Sequence, residues 1–150
     1  MDFDHYPQPA SNDSSTVAAA LDALRNACDE LSATDACDAF LWAVGNNHSG
    51  TFYPVVLGTL AEIKEILVNG PAWAQRATME SLIDLGGTFV PQAGHLSYQG
   101  VIVQDALREF IQSLRPCIAP WADAPDAPGA PDARASSAIE LLELMADRAP

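Results

Sequence analysis

Positive charge is what this sequence has least of. Lys64 is the single lysine, and 7 basic residues stand against 20 carboxylates in 150 positions, a formal net charge of −13 at pH 7. Such a chain repels nucleic-acid phosphates and anionic lipid headgroups, which argues against either as a direct partner. Cysteine is scarce as well: Cys28, Cys37 and Cys117 leave one thiol over even if two pair. None has metal-ligand spacing, and Cys28 and Cys37 fall in apolar-periodic segments. The expectation is buried, reduced thiols and a reducing compartment. Long apolar runs are missing, none approaching the roughly 20 residues needed to cross a bilayer. The opening MDFDHYPQPASNDSS carries acids where a secretory signal would be positive, and it lacks an apolar core. These features together predict a cytoplasmic protein.

What is present is apolar periodicity. The 49% of hydrophobic residues suffices for one core in a chain of this length. Val17, Ala20, Leu21, Leu24, Cys28 and Leu31 recur at three- and four-residue steps, the stripe of an amphipathic helix capped by Ser14 or Ser15. Thr34 can cap a second helix bearing Phe40, Leu41 and Val44, with Gly45 as its stop. A third follows Pro54, with Val56, Leu57, Leu60, Ile63, Ile66 and Leu67 on one face. Asn69-Gly70-Pro71 ends it and opens a fourth, from Pro71 to about Leu85, that presents Trp73, Ala77, Leu82 and Leu85. Ser97 can cap a fifth that uses Val101, Ile102, Ala106, Phe110, Ile111 and Leu114, which Pro116 and Pro120 stop or kink. Gly87–Val90 and Gly100–Val103 have local β character, but no second strand lies at hairpin spacing. The prediction is an all-α fold of antiparallel helical hairpins, HEAT-like or a compact helical bundle.

Composition divides the chain into four parts. Residues 1–14 read as a flexible acidic arm, with Phe3 and Tyr6 able to dock it. Residues 15–121 form the helical domain. Residues 122–136 repeat Ala, Pro and Asp without a large apolar side chain and read as a linker. Residues 137–150 open with Ser137-Ala138-Ile139-Glu140, the form of a capping box, and Ile139, Leu142 and Met145 line a short helix. A helix this short needs a surface to pack on, in the same chain, in a second copy or in a partner. The second case predicts a homo-oligomer through the C-terminal helix.

The stretch Asn46-Asn47-His48-Ser49-Gly50-Thr51-Phe52-Tyr53-Pro54, with Gly70-Pro71-Ala72-Trp73-Ala74-Gln75-Arg76-Ala77 and Leu82-Ile83-Asp84-Leu85, resembles small bacterial HEAT-repeat-like proteins. Some of these are similar to immunity proteins, made beside a secreted antibacterial toxin to neutralise it in the producing cell. The resemblance covers roughly residues 36–86. It implies stacked helix pairs and a protein partner, although no second copy of the pattern recurs at a fixed period.

Signatures of chemistry are weak. His5, His48 and His95 lie in arm or loop positions without the spacing of a zinc site. Cys28 and Cys37 sit among Asp29, Glu30, Asp35 and Asp38, charges that oppose a thiolate. Gly86-Gly87 lacks a following Gly-Lys-Ser/Thr and ends a helix instead of opening one. Glu62 with Glu65, and Glu80 with Asp84, read as solvated helix faces. The expectation is no enzyme, no cofactor and no metal.

Charge position is more informative than its total. Residues 1–45 carry eight carboxylates against Arg25 alone, whereas residues 46–121 carry six against four basic groups. Asp29, Glu30, Asp35 and Asp38 crowd one turn, where Asp35 and Asp38 either satisfy a helix N-terminus or present a docking surface to a basic polypeptide. The Asn46–Tyr53 loop is a second candidate surface, with Asn46, Asn47, His48 and Tyr53 as its contact residues. The predicted partner is another protein, a basic toxin domain. The alternative is a HEAT-like scaffold or adaptor with no toxin partner.

Overall fold

The computed structural model describes residues 2–123 and 133–147. Helix α1 (Thr16–Asn26) is followed across Ala27-Cys28-Asp29 by α2 (Glu30–Val44), and the two pack on each other. A short hairpin, β1 (Gly45–Asn46) with β2 (Thr51–Phe52), leads into α3 (Val55–Asn69). Gly70-Pro71 then turns the chain into α4 (Ala72–Gly87), with Pro71 extended at the N-cap as its fixed φ allows. β3 (Val90–Pro91) lies parallel to β2, pairing Thr51 with Val90. A second hairpin joins β4 (Ser97–Tyr98) to β5 (Val101–Ile102), and α5 (Val103–Ser113) and α6 (Arg115–Ala122) follow. The last described element is α7 (Ala135–Asp147).

Helix α4 is the centre of the body. It packs against α2, α3, α5 and α7 and buries Ala74, Ala77, Met79, Leu82 and Leu85. Its buried polar side chains are satisfied locally: Thr78 Oγ1 donates to the Ala74 carbonyl at 2.7 Å and Ser81 Oγ to that of Ala77 at 2.9 Å. Gln75 Nε2 donates to the Leu67 carbonyl at 2.9 Å, tying α4 to the end of α3. No buried side-chain nitrogen or oxygen among the described residues lacks a partner, as a stable interior requires. Small residues allow close approach here; a Cβ on Gly86 would lie 2.7 Å from Ile111 Cδ1 of α5.

The body is mostly helical, with seven helices among the described residues, but it is not all-α. The five strands are short and take up segments that periodicity left unpaired. Tyr98 and Val101 flank a two-residue turn with positive φ at Gln99 (49°) and Gly100 (81°), which fits a type I′ hairpin. Glutamine is unusual at the first of these positions, so the partner of Gly100–Val103 went unread. Val90 found its partner far away in sequence, at Thr51.

Four boundaries also differ from expectation. Helix α1 ends at Asn26, so Cys28 is an exposed loop thiol and Leu31, 72% exposed, belongs to the first turn of α2. Asp29, not Thr34, caps α2. Helix α5 begins at Val103 without a Ser97 cap, and Val101 and Ile102 are exposed strand residues. Helix α7 begins at Ala135, and Ser137 is buried with its hydroxyl 3.4 Å from Glu80 Oε1 instead of capping the helix.

The N-terminal segment is laid against the body. Phe3 is 3% exposed, the Val55 amide donates to the Pro7 carbonyl at 3.1 Å, and Asn12 Nδ2 donates to the Ala43 carbonyl at 2.7 Å. Tyr6 fits over Gly58, where a Cβ would meet its ring at 2.7 Å. At the other end α7 buries Ala138, Leu141 and Met145 against α4 and α6 of the same chain. Trp121 covers this end, with the Arg134 guanidinium 5.0 Å above its ring. The expected linker, residues 122–136, falls largely on 124–132, outside the described residues.

Candidate protein-binding surface

Helix α2 has a buried and an open side. Ala33, Ala36, Cys37, Phe40, Leu41, Ala43 and Val44 face the core. Leu31, Asp35, Asp38 and Trp42 lie outward, at steps of four, three and four residues, which places them along one line of the helix surface. Leu31 is 72% and Trp42 42% exposed, so each offers apolar surface to solvent on the line that carries Asp35 and Asp38. Leu31 continues the apolar spacing of α1, which hides its place on α2, and Trp42 lies about one helical turn beyond Asp38.

Asp29 and Glu30 begin this helix and serve it locally. Asp29 Oδ1 accepts from the Ser32 amide at 2.8 Å and from Ser32 Oγ at 2.7 Å, while the Asp29 amide donates to Ser32 Oγ at 3.1 Å, a reciprocal capping box. The backbone hydrogen bond from Ser32 and then its hydroxyl hold the Asp29 carboxyl below the usual aspartate value. Glu30 stands in the first turn and its carbonyl accepts from Thr34 Oγ1 at 3.0 Å.

The loop after α2 folds back onto the open side. Asn46 Oδ1 accepts from the amides of His48 and Ser49, each at 3.1 Å, shaping the turn. Asn47 Nδ2 donates to Asp38 Oδ1 at 3.2 Å, and the His48 ring meets the Trp42 indole edge-on, 4.9 Å between centroids. Asp38 from the acidic turn and Asn47 and His48 from the loop, predicted as two surfaces, are thereby one. Tyr53 does not join it: its amide donates to the Val44 carbonyl at 2.8 Å, its half-buried ring packs on the core, and it lies tilted against His95 with 5.1 Å between ring centroids.

Beside Asp38 a groove opens between α2, α4 and α7. One stretch of about 310 Å³ is lined by Thr34, Cys37, Asp38, Glu80, Ile83, Asp84 and Glu140. A second of about 310 Å³ shares Ile83, Asp84 and Glu140 and continues past Glu143, Leu144 and Asp147. Among the described residues, six carboxylates line the two stretches and no lysine, arginine or histidine does. Partial burial, then the charges of Glu140, Asp38 and Glu80, push the Asp84 carboxyl above its usual value. The Cys37 thiol at the groove floor is pushed up to about 12, first by burial and further by Asp84, Glu80 and Asp38, although Ser81 Oγ donates to its sulfur at 3.3 Å. It is a protonated structural thiol at neutral pH. No three His, Cys, Asp or Glu side chains among the described residues are grouped to hold a metal ion.

Glu80 and Asp84, expected on a solvated helix face, line the groove together with Asp38. Their i, i+4 spacing on α4, matched by Glu140, Glu143 and Asp147 on α7, was the available signal. No helix among the described residues is long and apolar enough to cross a membrane. No protein-family model, curated protein or solved structure matches the chain.

Proposed function

We propose that this chain is a protein-binding module, an immunity-like protein that neutralises a cognate basic toxin in the producing cell's cytoplasm by direct docking on its acidic side. The observation that carries the reading is the convergence of Asp38, Glu80, Asp84 and Glu140 on one groove whose lining holds no basic side chain among the described residues. Like charges held together this way oppose the fold slightly, and a positive partner relieves that cost while its approach is steered by the field. The HEAT-like resemblance around residues 36–86 points the same way, toward a helical surface that grips another polypeptide. Self-association through α7 would need its outer side, Ile139, Glu140 and Glu143, because its apolar side faces α4 and α6.

The test is a titration of the purified chain with the basic polypeptide encoded beside its gene, together with an assay of that polypeptide's toxicity. The expected result is a one-to-one complex that abolishes toxicity and weakens with salt and with Asp35→Lys plus Asp84→Lys. A complex that leaves toxicity intact would favour the adaptor reading. Affinity untouched by salt and by both reversals would remove the acidic docking idea.

A further inference from the structure

We infer that the outward ridge of α2 receives an amphipathic basic helix of the partner, with Leu31 and Trp42 as its two apolar contacts and Asp35 and Asp38 as the charged contacts between them. The inference rests on the acidic-docking reading and gives it a location and a partner shape. The four residues fall within a narrow sector of the helix surface, since steps of four, three and four residues return to nearly the same angle. Leu31 and Trp42 are eleven residues apart, about 16 Å at the α-helical rise, or roughly three turns. A bare acidic face would be explained by solvation alone. Leu31 and Trp42, 72% and 42% exposed, add an apolar contact at each end of the two charges, and it is their place on one line with those charges, not exposure alone, that marks the ridge.

Charge selects among occupants. A second copy of this chain would set Asp35 and Asp38 against their own duplicates, and the net charge of −13 adds to that repulsion. A helix with arginine or lysine between two apolar residues pairs each side chain with its complement. Tryptophan is the residue type most often decisive at such contacts. Here His48 edge-on at 4.9 Å and the Asn47–Asp38 hydrogen bond hold the end of the ridge in place before anything binds, which lowers the ordering cost of association.

The test uses the full-length chain, isotopically labelled, and a stapled helical peptide of about 15 residues with leucines at the ends of a roughly three-turn face and two arginines between. The expected result is saturable binding at low salt, with the largest NMR shifts at Leu31, Asp35, Asp38 and the Trp42 indole N–H. Trp42→Ala, and separately Asp35→Lys with Asp38→Lys, weaken it at least about tenfold. Asp4→Lys with Glu109→Lys, on other faces, leaves it within about twofold. Circular dichroism confirms that each variant stays folded. Binding that survives Leu31→Ala and Trp42→Ala but fails with Asp84→Lys and Glu140→Lys overturns the ridge and leaves acidic docking standing. Binding indifferent to every reversal overturns both, and no mapped binding at low salt overturns the ridge.

Discussion

The two flanks of the helical body handle charge in opposite ways. Between α1 and α3, Arg25 reaches Asp22 and Glu62, each at 2.7 Å, so the carboxylates that face one another share a cation. Between α2, α4 and α7, Glu80 pairs with Arg76 at 2.8 Å, while Asp38, Asp84 and Glu140 meet across the groove without a cation in its lining among the described residues. The same fold therefore neutralises charge on one flank and concentrates it on the other. Packing can carry that burden, because α7 is fixed by Ala138, Leu141 and Met145, each at most 1% exposed. The acidic flank is held by apolar contact in spite of its electrostatics.

Breaking that contact gives the largest expected effect. Leu141→Ala should cost about 2–5 kcal/mol, the range for removing a buried leucine side chain, measured by urea unfolding. A loss of only a few tenths would mean that α7 is not held by its apolar side, and the contrast between the flanks would lapse.

Neutralising the groove should act in the other direction. In the folded chain Asp84 binds its proton more tightly than usual, because of partial burial and then the nearby Glu140, Asp38 and Glu80. The folded state thus holds more protons than the unfolded one, and this group's contribution to stability falls as pH rises from the ordinary aspartate value through the raised one. Asp84→Asn should raise stability near neutral pH by less than about 1 kcal/mol, the scale of solvent-screened charges. The gain should vanish in acid, where the native carboxyl is protonated too. Thermal melts of both proteins across that pH range check the sign; a gain that persisted in acid would trace to packing instead.

Arg25→Ala tests the neutralised flank and should be the smaller effect, a loss of about 0.2–1 kcal/mol. Salt separates the two flanks more cleanly than magnitude does. Screening should shrink the Arg25→Ala loss and the share of the Asp84→Asn gain that comes from Glu140, Asp38 and Glu80, leaving the share that comes from burial. One variant removes an attraction and the other a repulsion on top of a desolvation cost. Melts at low and high sodium chloride read both, and a parallel response in the two variants' stabilities, in place of convergence toward the wild type, would refute the distinction.

Much of the helical body was legible in the chain. The stripe from Val56 to Leu67 and the break at Asn69-Gly70-Pro71 gave α3 and the start of α4, because period, stop and start agree there. Reading failed where two local signals overlapped. Cys28 and Leu31 continue the spacing of α1, and that continuity hid a three-residue break at Ala27–Asp29. An Asp-x-x-Ser capping box did the work for which a threonine had been expected. Val101 and Ile102 fit a helical stripe as well as they fit a strand, and only the turn at Gln99-Gly100 decides between them. The surface was legible in part. Asp35, Asp38, Asn47 and His48 could be nominated from type and position, whereas a groove joining Asp38, Asp84 and Glu140 depends on how three distant helices stack. Trp42 lies four residues beyond Asp38, and that spacing was the available signal that it shares the outward line of α2.

The smallest effect decides what Asp29 is for. Its carboxyl is held below the usual value by the Ser32 amide and hydroxyl, so its contribution is present above the ordinary aspartate value and lost as pH falls through the depressed one. Asp29→Ala should lower the melting temperature slightly near neutral pH, with the difference closing in acid. Asp29→Asn keeps a side-chain oxygen for the Ser32 amide while removing the charge, so most of the cap should survive. If partner affinity is unchanged in Asp29→Asn and falls in Asp38→Asn, Asp29 belongs to the folding of α2 and the docking charge begins further along the helix. Equal losses would extend the binding surface back to the helix start, and the acidic flank would then include the turn between α1 and α2.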